Sequence, residues 1–296
     1  MFRVEGQYGK TKVRVLRVRR SPLNPSVHDL CEVDVECLLE GDLETSYTEG
    51  SNANVVPTDT VKNTCYVIAK KSNFDSVEDF GLALIRHFLT RHQHLSAVTV
   101  SLQEKLWQRV APGGQPHEHV FTHVGPEKRV AVCRGSRGGP FSVESGIADM
   151  KIMKTTQSGF EGYVVDEYTT LKPTRERIFC TTVDARWSFG SRLPEGRFGQ
   201  INQKVRELML QVFSGPSRGG EYSKSVQETM YKMAVKTLEE VSEVERVSLV
   251  LPNIHHFLFD LKRFGIENDN EIFFPTDDPS GLIKCSVSRG DARSRL

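Results

Sequence analysis

The segment Cys31-Glu32-Val33-Asp34-Val35-Glu36-Cys37 alternates apolar and acidic residues without a break. A period of two puts the apolar set on one side of a β-strand and the acids on the other, and a slip of one residue would turn the whole core face to water. Just upstream, Val13, Val15 and Val18 sit among Lys12, Arg14, Arg17 and Arg19, and residues 21–26 between the two runs are rich in Pro, Asn and Ser. This pattern predicts two antiparallel strands joined by a turn. Such a sheet keeps one face wet and must cover the other, so helices are needed nearby.

The cover is legible. Ser76 with Asp79 makes a capping-box-like helix start, and Val77, Phe80, Leu84 and Phe88 recur at helical spacing. Strands are expected again at Ala97–Leu102 and around Glu118–Val124. The Gly/Ser/Arg-rich stretch from Arg134 to Pro140 interrupts the pattern and predicts a boundary, giving domains 1–138 and 139–296. Beyond it the order repeats, with strands expected at about 141–154, 160–169 and 178–188. A helix with Phe198, Ile201, Val205, Leu208 and Val212 on one face follows, then a second from Ser225 to Leu238 and the strand Val247–Leu251. The expected class is α+β, with two similar halves of antiparallel strands and paired helices; Pro57-Thr58-Asp59 and Pro173-Thr174-Arg175 are the best residue-level echo. Sheets of this kind leave edges that need partners, so an oligomer is expected.

Charge narrows the partners. Lys and Arg total 39 against 38 Asp and Glu, a net charge of +1, which lacks the basic bias of a nucleic-acid or membrane-surface protein. No apolar run reaches the roughly 18 residues a membrane helix needs, and Met1–Tyr8 lacks the apolar core of a secretory signal. Six cysteines without a Cys-x-x-Cys pair read as reduced, buried thiols of an intracellular protein. The final Ser294-Arg295-Leu296 resembles the Ser-Lys-Leu peroxisomal address, so a peroxisomal location and an import receptor as partner are expected.

Metal ligation is the first chemistry to weigh. His117, His119 and His123, and the pair His92 and His94, have no cysteine or spaced carboxylate to complete a four-ligand set, so they read as surface or core histidines. No phosphate-cradling glycine motif follows a strand. Other stretches carry more polar residues than structure alone requires. In Pro57-Thr-Asp-Thr-Val-Lys-Asn-Thr64, a threonine or aspartate reads as a helix cap. Lys10 opens a strand in Tyr8-Gly9-Lys10, and Phe160 lies between glycines with its ring free for a flat ligand. Arg175 and Arg177 follow Glu167-Tyr-Thr-Thr-Leu-Lys-Pro173, Gln227 sits in the first turn of a helix beside Val226, and Leu251-Pro-Asn-Ile-His255 ends a strand. Each stretch taken alone also fits an ordinary structural role.

Taken in order, these motifs, with Ser225-Val-Gln227, Thr229-Met-Tyr-Lys-Met-Ala234 and Gly281-Leu-Ile-Lys-Cys285, resemble urate oxidase over essentially the whole chain. The resemblance implies two tandem tunnelling-fold (T-fold) domains whose sheets assemble into a β-barrel tunnel. It also implies a homotetramer with active sites between subunits, and oxidation of urate by O2 and water to 5-hydroxyisourate and hydrogen peroxide without metal or cofactor. Carried onto this chain, it makes Arg177 and Gln227 a clamp for the purine edges, Phe160 a stacking platform, Asp59 and Val226 backbone contacts, and Leu171 and Ile283 apolar walls. Lys10, Thr58 and His255 become a proton relay, with Asn253 and Thr58 holding oxidant or water above the ring. Lys10, Thr58 and His255 are then expected from one subunit and Phe160, Arg177, Gln227 and Asn253 from its neighbour. The residue types suit these tasks, since a guanidinium fork and an amide can bracket an anionic, hydrogen-bond-rich ring. The alternative is a non-catalytic T-fold protein that binds a purine or pterin, retaining the clamp without the relay.

Overall fold

The computed structural model describes residues 4–290, so Ser294-Arg295-Leu296 lies outside the described residues. Among the described residues, eight strands follow one another in hydrogen-bonding order in the sequence in which the chain supplies them, from β1 (Tyr8–Arg20) to β8 (Phe273–Ser288). The chain forms two compact units, Met1–Gly146 with Ser188–Asn202, and Ile147–Trp187 with Gln203–Leu296.

In the first unit, β1, β2 (His28–Gly41), β3 (Leu95–Arg109) and β4 (Phe121–Ser136) are joined antiparallel, with Val35 opposite both Val13 and Leu102. The alternation in the sequence becomes alternation in burial: Val33, Val35, Cys37 and Leu39 face a core that also takes Phe80, Leu84, Ile85 and Phe88. Those last four belong to α3 (Val77–Arg91), whose Ser76 cap accepts the Asp79 N–H as the sequence predicts. A second helix, α2 (Thr58–Lys71), buries only Val61, Cys65 and Ala69. A five-residue α1 (Glu44–Thr48) precedes it. The Gly/Ser/Arg-rich stretch expected as a domain boundary is the turn of a hairpin between β4 and β5 (Phe141–Lys154).

The second unit holds the C-terminal portion of β5, most of β6 (Phe179–Phe189) and the long hairpin of β7 (Val244–Leu258) with β8. Its helices are most of α4 (Phe198–Ser214) and all of α5 (Val226–Glu240). Phe179, Val183, Trp187, Val205, Met209, Met230, Met233, Leu249 and Leu251 are among its buried apolar residues. Residues 160–169, expected as a strand, are irregular. Asp166 accepts the Tyr168 N–H and the Thr169 hydroxyl, and its own N–H donates to Thr169 Oγ1 at 2.9 Å. Local side-chain bonds thus take up backbone groups that a sheet would use. The strand expected to stop near Leu251 instead runs on to Leu258 and carries Asn253 and His255 within it.

Candidate active site

A cavity of about 320 Å³ opens in the second unit, and Phe160, Arg177, Val226, Gln227, Asn253 and His255 all line it, with Leu171 and Ile283 as apolar walls. Its other lining residues include Lys172 and His256, and among the described residues no carboxylate lines it. One sign of charge and a largely hydrocarbon wall suit a flat anion.

Each wall has a local cause. Phe160 and Thr174 exchange two backbone hydrogen bonds, at 2.7 and 3.1 Å, which close residues 161–173 into a loop and fix the platform ring. Gly159 is required there, because a Cβ would meet the Tyr222 hydroxyl oxygen at 2.1 Å and the Thr174 carbonyl at 2.8 Å. Tyr163 stacks behind Phe160 at 5.1 Å and 13°, and its hydroxyl donates to the Leu171 carbonyl at 2.7 Å.

Arg177 is anchored at both ends of the residue, its N–H donating to the Ser158 carbonyl at 3.0 Å and its Nε to the Ser158 hydroxyl at 3.3 Å. Its guanidinium carbon stands 5.5 Å from the centroid of Phe160, leaving the outer nitrogens for a ligand lying on that ring. Burial lowers its pKa from the ordinary arginine value. Gln227 and Val226 occupy the first turn of α5, where Ser225 caps by accepting the Glu228 N–H at 3.1 Å. The first N–H groups of a helix have no partner within it, and they carry partial positive charge toward the cavity.

Asn253 and His255 lie two residues apart on β7 and both line the cavity, as does Ile254 between them. Asn253 pairs with Gly281 and His255 with Thr276, so two steps on β7 match five on β8 and the ladder is broken beside the cavity. Irregularities of this kind re-aim side chains at functional sites. Among the described residues neither the Asn253 nor the Gln227 side chain has a hydrogen-bond partner, so both are free for a ligand. Burial, then the positive charge of Arg177 and the neighbouring His256, push the His255 pKa below the ordinary histidine value. The ring is neutral near pH 7 and can accept a proton.

The remaining candidates gather in the first unit. Gly9 lets β1 approach β2 where a Cβ would overlap the Cys37 carbonyl, and Tyr8 accepts the Val56 N–H on its hydroxyl at 2.6 Å. The strand bearing Lys10 therefore pins the segment that leads into α2. That helix starts at Thr58, but its cap residue is Pro57 and no side chain caps it, so neither threonine nor aspartate takes that role. Lys62 and Asn63 instead hold the two carboxylate oxygens of Asp59 at 2.5 and 2.9 Å. Lys62, and more weakly Lys10, keep the Asp59 carboxyl below its ordinary pKa, so Lys10 stands within electrostatic reach of the helix start. Thr58 is exposed and, among the described residues, its hydroxyl has no partner.

His255 thus lines the cavity in company with Phe160, Arg177, Gln227 and Asn253, where it was expected to come with Lys10 and Thr58 from another subunit. It stands two residues from Asn253 on one strand, and the two line the same cavity. No group of three histidine, cysteine or acidic side chains among the described residues is placed to hold a metal.

Fold and site define a T-fold protein whose pocket suits a planar, anionic, heteroaromatic ligand. The Uricase family model matches residues 6–134 and 143–284. The chain is 42% identical over 293 residues to the uricase of Cyberlindnera jadinii, covering 95% of each, and 37% identical over 282 residues to that of Danio rerio, covering 95% of this chain and 93% of the relative. The crystal structure of uricase from Arthrobacter globiformis superposes with a TM-score of 0.89 at 35% identity, over 99% of this chain and 96% of the other. The chain belongs to the uricase family.

Proposed function

We propose that this chain oxidises urate with O2 and water to 5-hydroxyisourate and hydrogen peroxide, in the cavity of its second unit. The observation that carries this reading is the convergence on one cavity of a guanidinium beside an aromatic ring and the N-terminal turn of α5. Urate would lie against Phe160 with its edges held by Arg177 and Gln227 and by the Val226 N–H. Base–aromatic stacking is worth about 1–3 kcal/mol in nucleic-acid sites, and a comparable gain is expected for this purine. Asn253 would hold O2 or water above the ring.

The ring is the electron donor. The urate monoanion gives two electrons to O2, water adds to the oxidised purine with loss of one proton, and that proton with one from solvent converts the reduced oxygen to hydrogen peroxide. Neutral His255 is placed to accept that proton, and the hydroxyl of Thr58 can pass it in either direction. Lys10, on β1, completes the relay with Thr58 in the first turn of α2, and the backbone of Asp59 in that turn would contact urate. We assign Lys10, Thr58 and Asp59 to a neighbouring subunit of a homotetramer. The open edges of β1 and β8, and the exposed Phe257, Leu258 and Phe274 on the β7–β8 hairpin, support association between copies. A peroxisomal location, by import through Ser294-Arg295-Leu296, suits an oxidase that releases peroxide.

The test is urate absorbance followed together with an oxygen electrode, on protein treated with chelator. Equal consumption of urate and O2, with peroxide formed, is expected. Tight urate binding without turnover would instead identify a binding protein.

A further inference from the structure

Lys154 ends β5 and is partly buried, with its pKa lowered by that burial. Its ammonium makes three bonds, donating to the Ser223 hydroxyl at 2.6 Å, the Glu221 carbonyl at 2.8 Å and the Phe213 carbonyl at 3.4 Å. Three donors meeting three acceptors is the full capacity of an ammonium. Lysine is rarely kept from water unless it is so paired, and the reaction described above gives it no role.

Ser223 is the acceptor that gives this cation a consequence. Its carbonyl accepts the Gly159 N–H at 3.0 Å and its N–H donates to the Gln157 carbonyl at 2.9 Å, which fixes the backbone immediately before Phe160. Its hydroxyl also receives the Thr229 hydroxyl at 2.9 Å, and Thr229 stands one turn into α5, the helix that carries Gln227. Ser223 is 4% exposed, so water does not compete for these bonds. One buried residue therefore ties the stacking platform to the helix that carries the amide of the clamp, and Lys154 locks that residue to the end of α4.

We propose that Lys154 is a positioning residue for urate binding, which through Ser223 sets the spacing between the Phe160 ring and the first turn of α5. This rests on the reading of the cavity as the urate site. A ring and an edge donor act on one flat ligand only at the right separation, and a displacement of the order of 1 Å is enough to lose much of the benefit. Loss of the ammonium should let the two walls relax apart without removing any group that touches the ligand.

The experiment is a coupling measurement on the full-length protein. Urate affinity is measured without O2 for the parent, Lys154→Met, Gln227→Ala and the double variant, with circular dichroism and melting as controls of fold. Lys154→Met is expected to weaken urate binding about tenfold in the parent and less than threefold when Gln227 is already alanine, because the spacing then serves one wall alone. Ser223→Ala, which retains the lysine and removes its shared acceptor, should show the same dependence and serves if Lys154→Met does not fold. Unchanged affinity in a folded variant would overturn the proposal. So would an equal loss in both backgrounds, which is what general destabilisation gives. Absence of urate binding by the parent would instead refute the assignment of the cavity itself.

Discussion

Arg177 sits at the meeting point of charge, stacking and proton transfer, and its replacement should register in all three. A charge-assisted hydrogen bond contributes about 1.5–3 kcal/mol, so Arg177→Gln should weaken urate binding roughly 10- to 150-fold, as titration without O2 would show. The same change removes a positive charge that opposes protonation of His255. The His255 titration should then move up toward the ordinary value of about 6.5, observed as a ring-proton shift by NMR, and the acid limb of turnover should move up with it. The sign for stability follows from the depressed pKa. The fold favours the neutral ring, so its contribution is fully present above the ordinary histidine value and is lost as pH falls through the lower folded one. Thr58→Ala tests the other half of the chemistry. It should leave urate affinity within a few-fold of the parent while lowering kcat by about 10²-fold or more, the scale of general acid–base catalysis. Loss of affinity with kcat preserved would remove Thr58 from the relay.

At the scale of elements, the sequence disclosed what periodicity controls and missed what loop bonding controls. The run from Cys31 to Cys37 and the Val77–Phe88 stripe became β2 and α3 because both patterns are set by burial of a single face. Residues 160–169 failed as a strand for a different reason. The Phe160–Thr174 bridge and the Asp166 turn lie within the loop, and no period records them. The Pro57 cap was missed likewise, because the side chain that announced a cap is bonded elsewhere, Asp59 to Lys62 and Asn63. Glu78 was hidden as well. It reads as a first-turn acid of α3, yet it is fully buried against Arg129 and accepts the Ser145 hydroxyl at 2.6 Å. The motif residues Gly159 and Gly162 look equivalent in the chain and are opposite in the fold. Gly159 has no room for a Cβ, whereas Gly162 is open and needs only its positive φ of 73°. Gly159→Ala should raise the KM for urate at least tenfold, by displacing Phe160 or Tyr222. Gly162→Ala should cost about 1–2 kcal/mol of backbone strain and leave KM nearly unchanged. Equal effects on KM would mean that Gly159 does not set the platform.

For the whole molecule, motif order picked out Phe160, Arg177, Val226, Gln227, Asn253 and His255, which line one cavity, and it did not place His255 with the others. The cavity supplied what spacing lacks: Asn253 and His255 of β7 both line it, so the histidine lies with the proposed clamp in the second unit, while the proposed relay turn of α2 lies in the first. An assembly that brings the relay turn of one subunit to the cavity of another makes a definite genetic prediction. Two inactive chains complement each other only if their lesions lie in different halves, because one kind of interface in the hybrid then receives both intact halves. The decisive measurement is the urate oxidation rate of hybrid oligomers made by unfolding and refolding two variants together, with each refolded alone as control. Thr58→Ala with His255→Ala should regain activity, and His255→Ala with Arg177→Ala should not. If verified Thr58→Ala/His255→Ala hybrids are no more active than the separate variants, the two halves are not shared between chains in the way proposed.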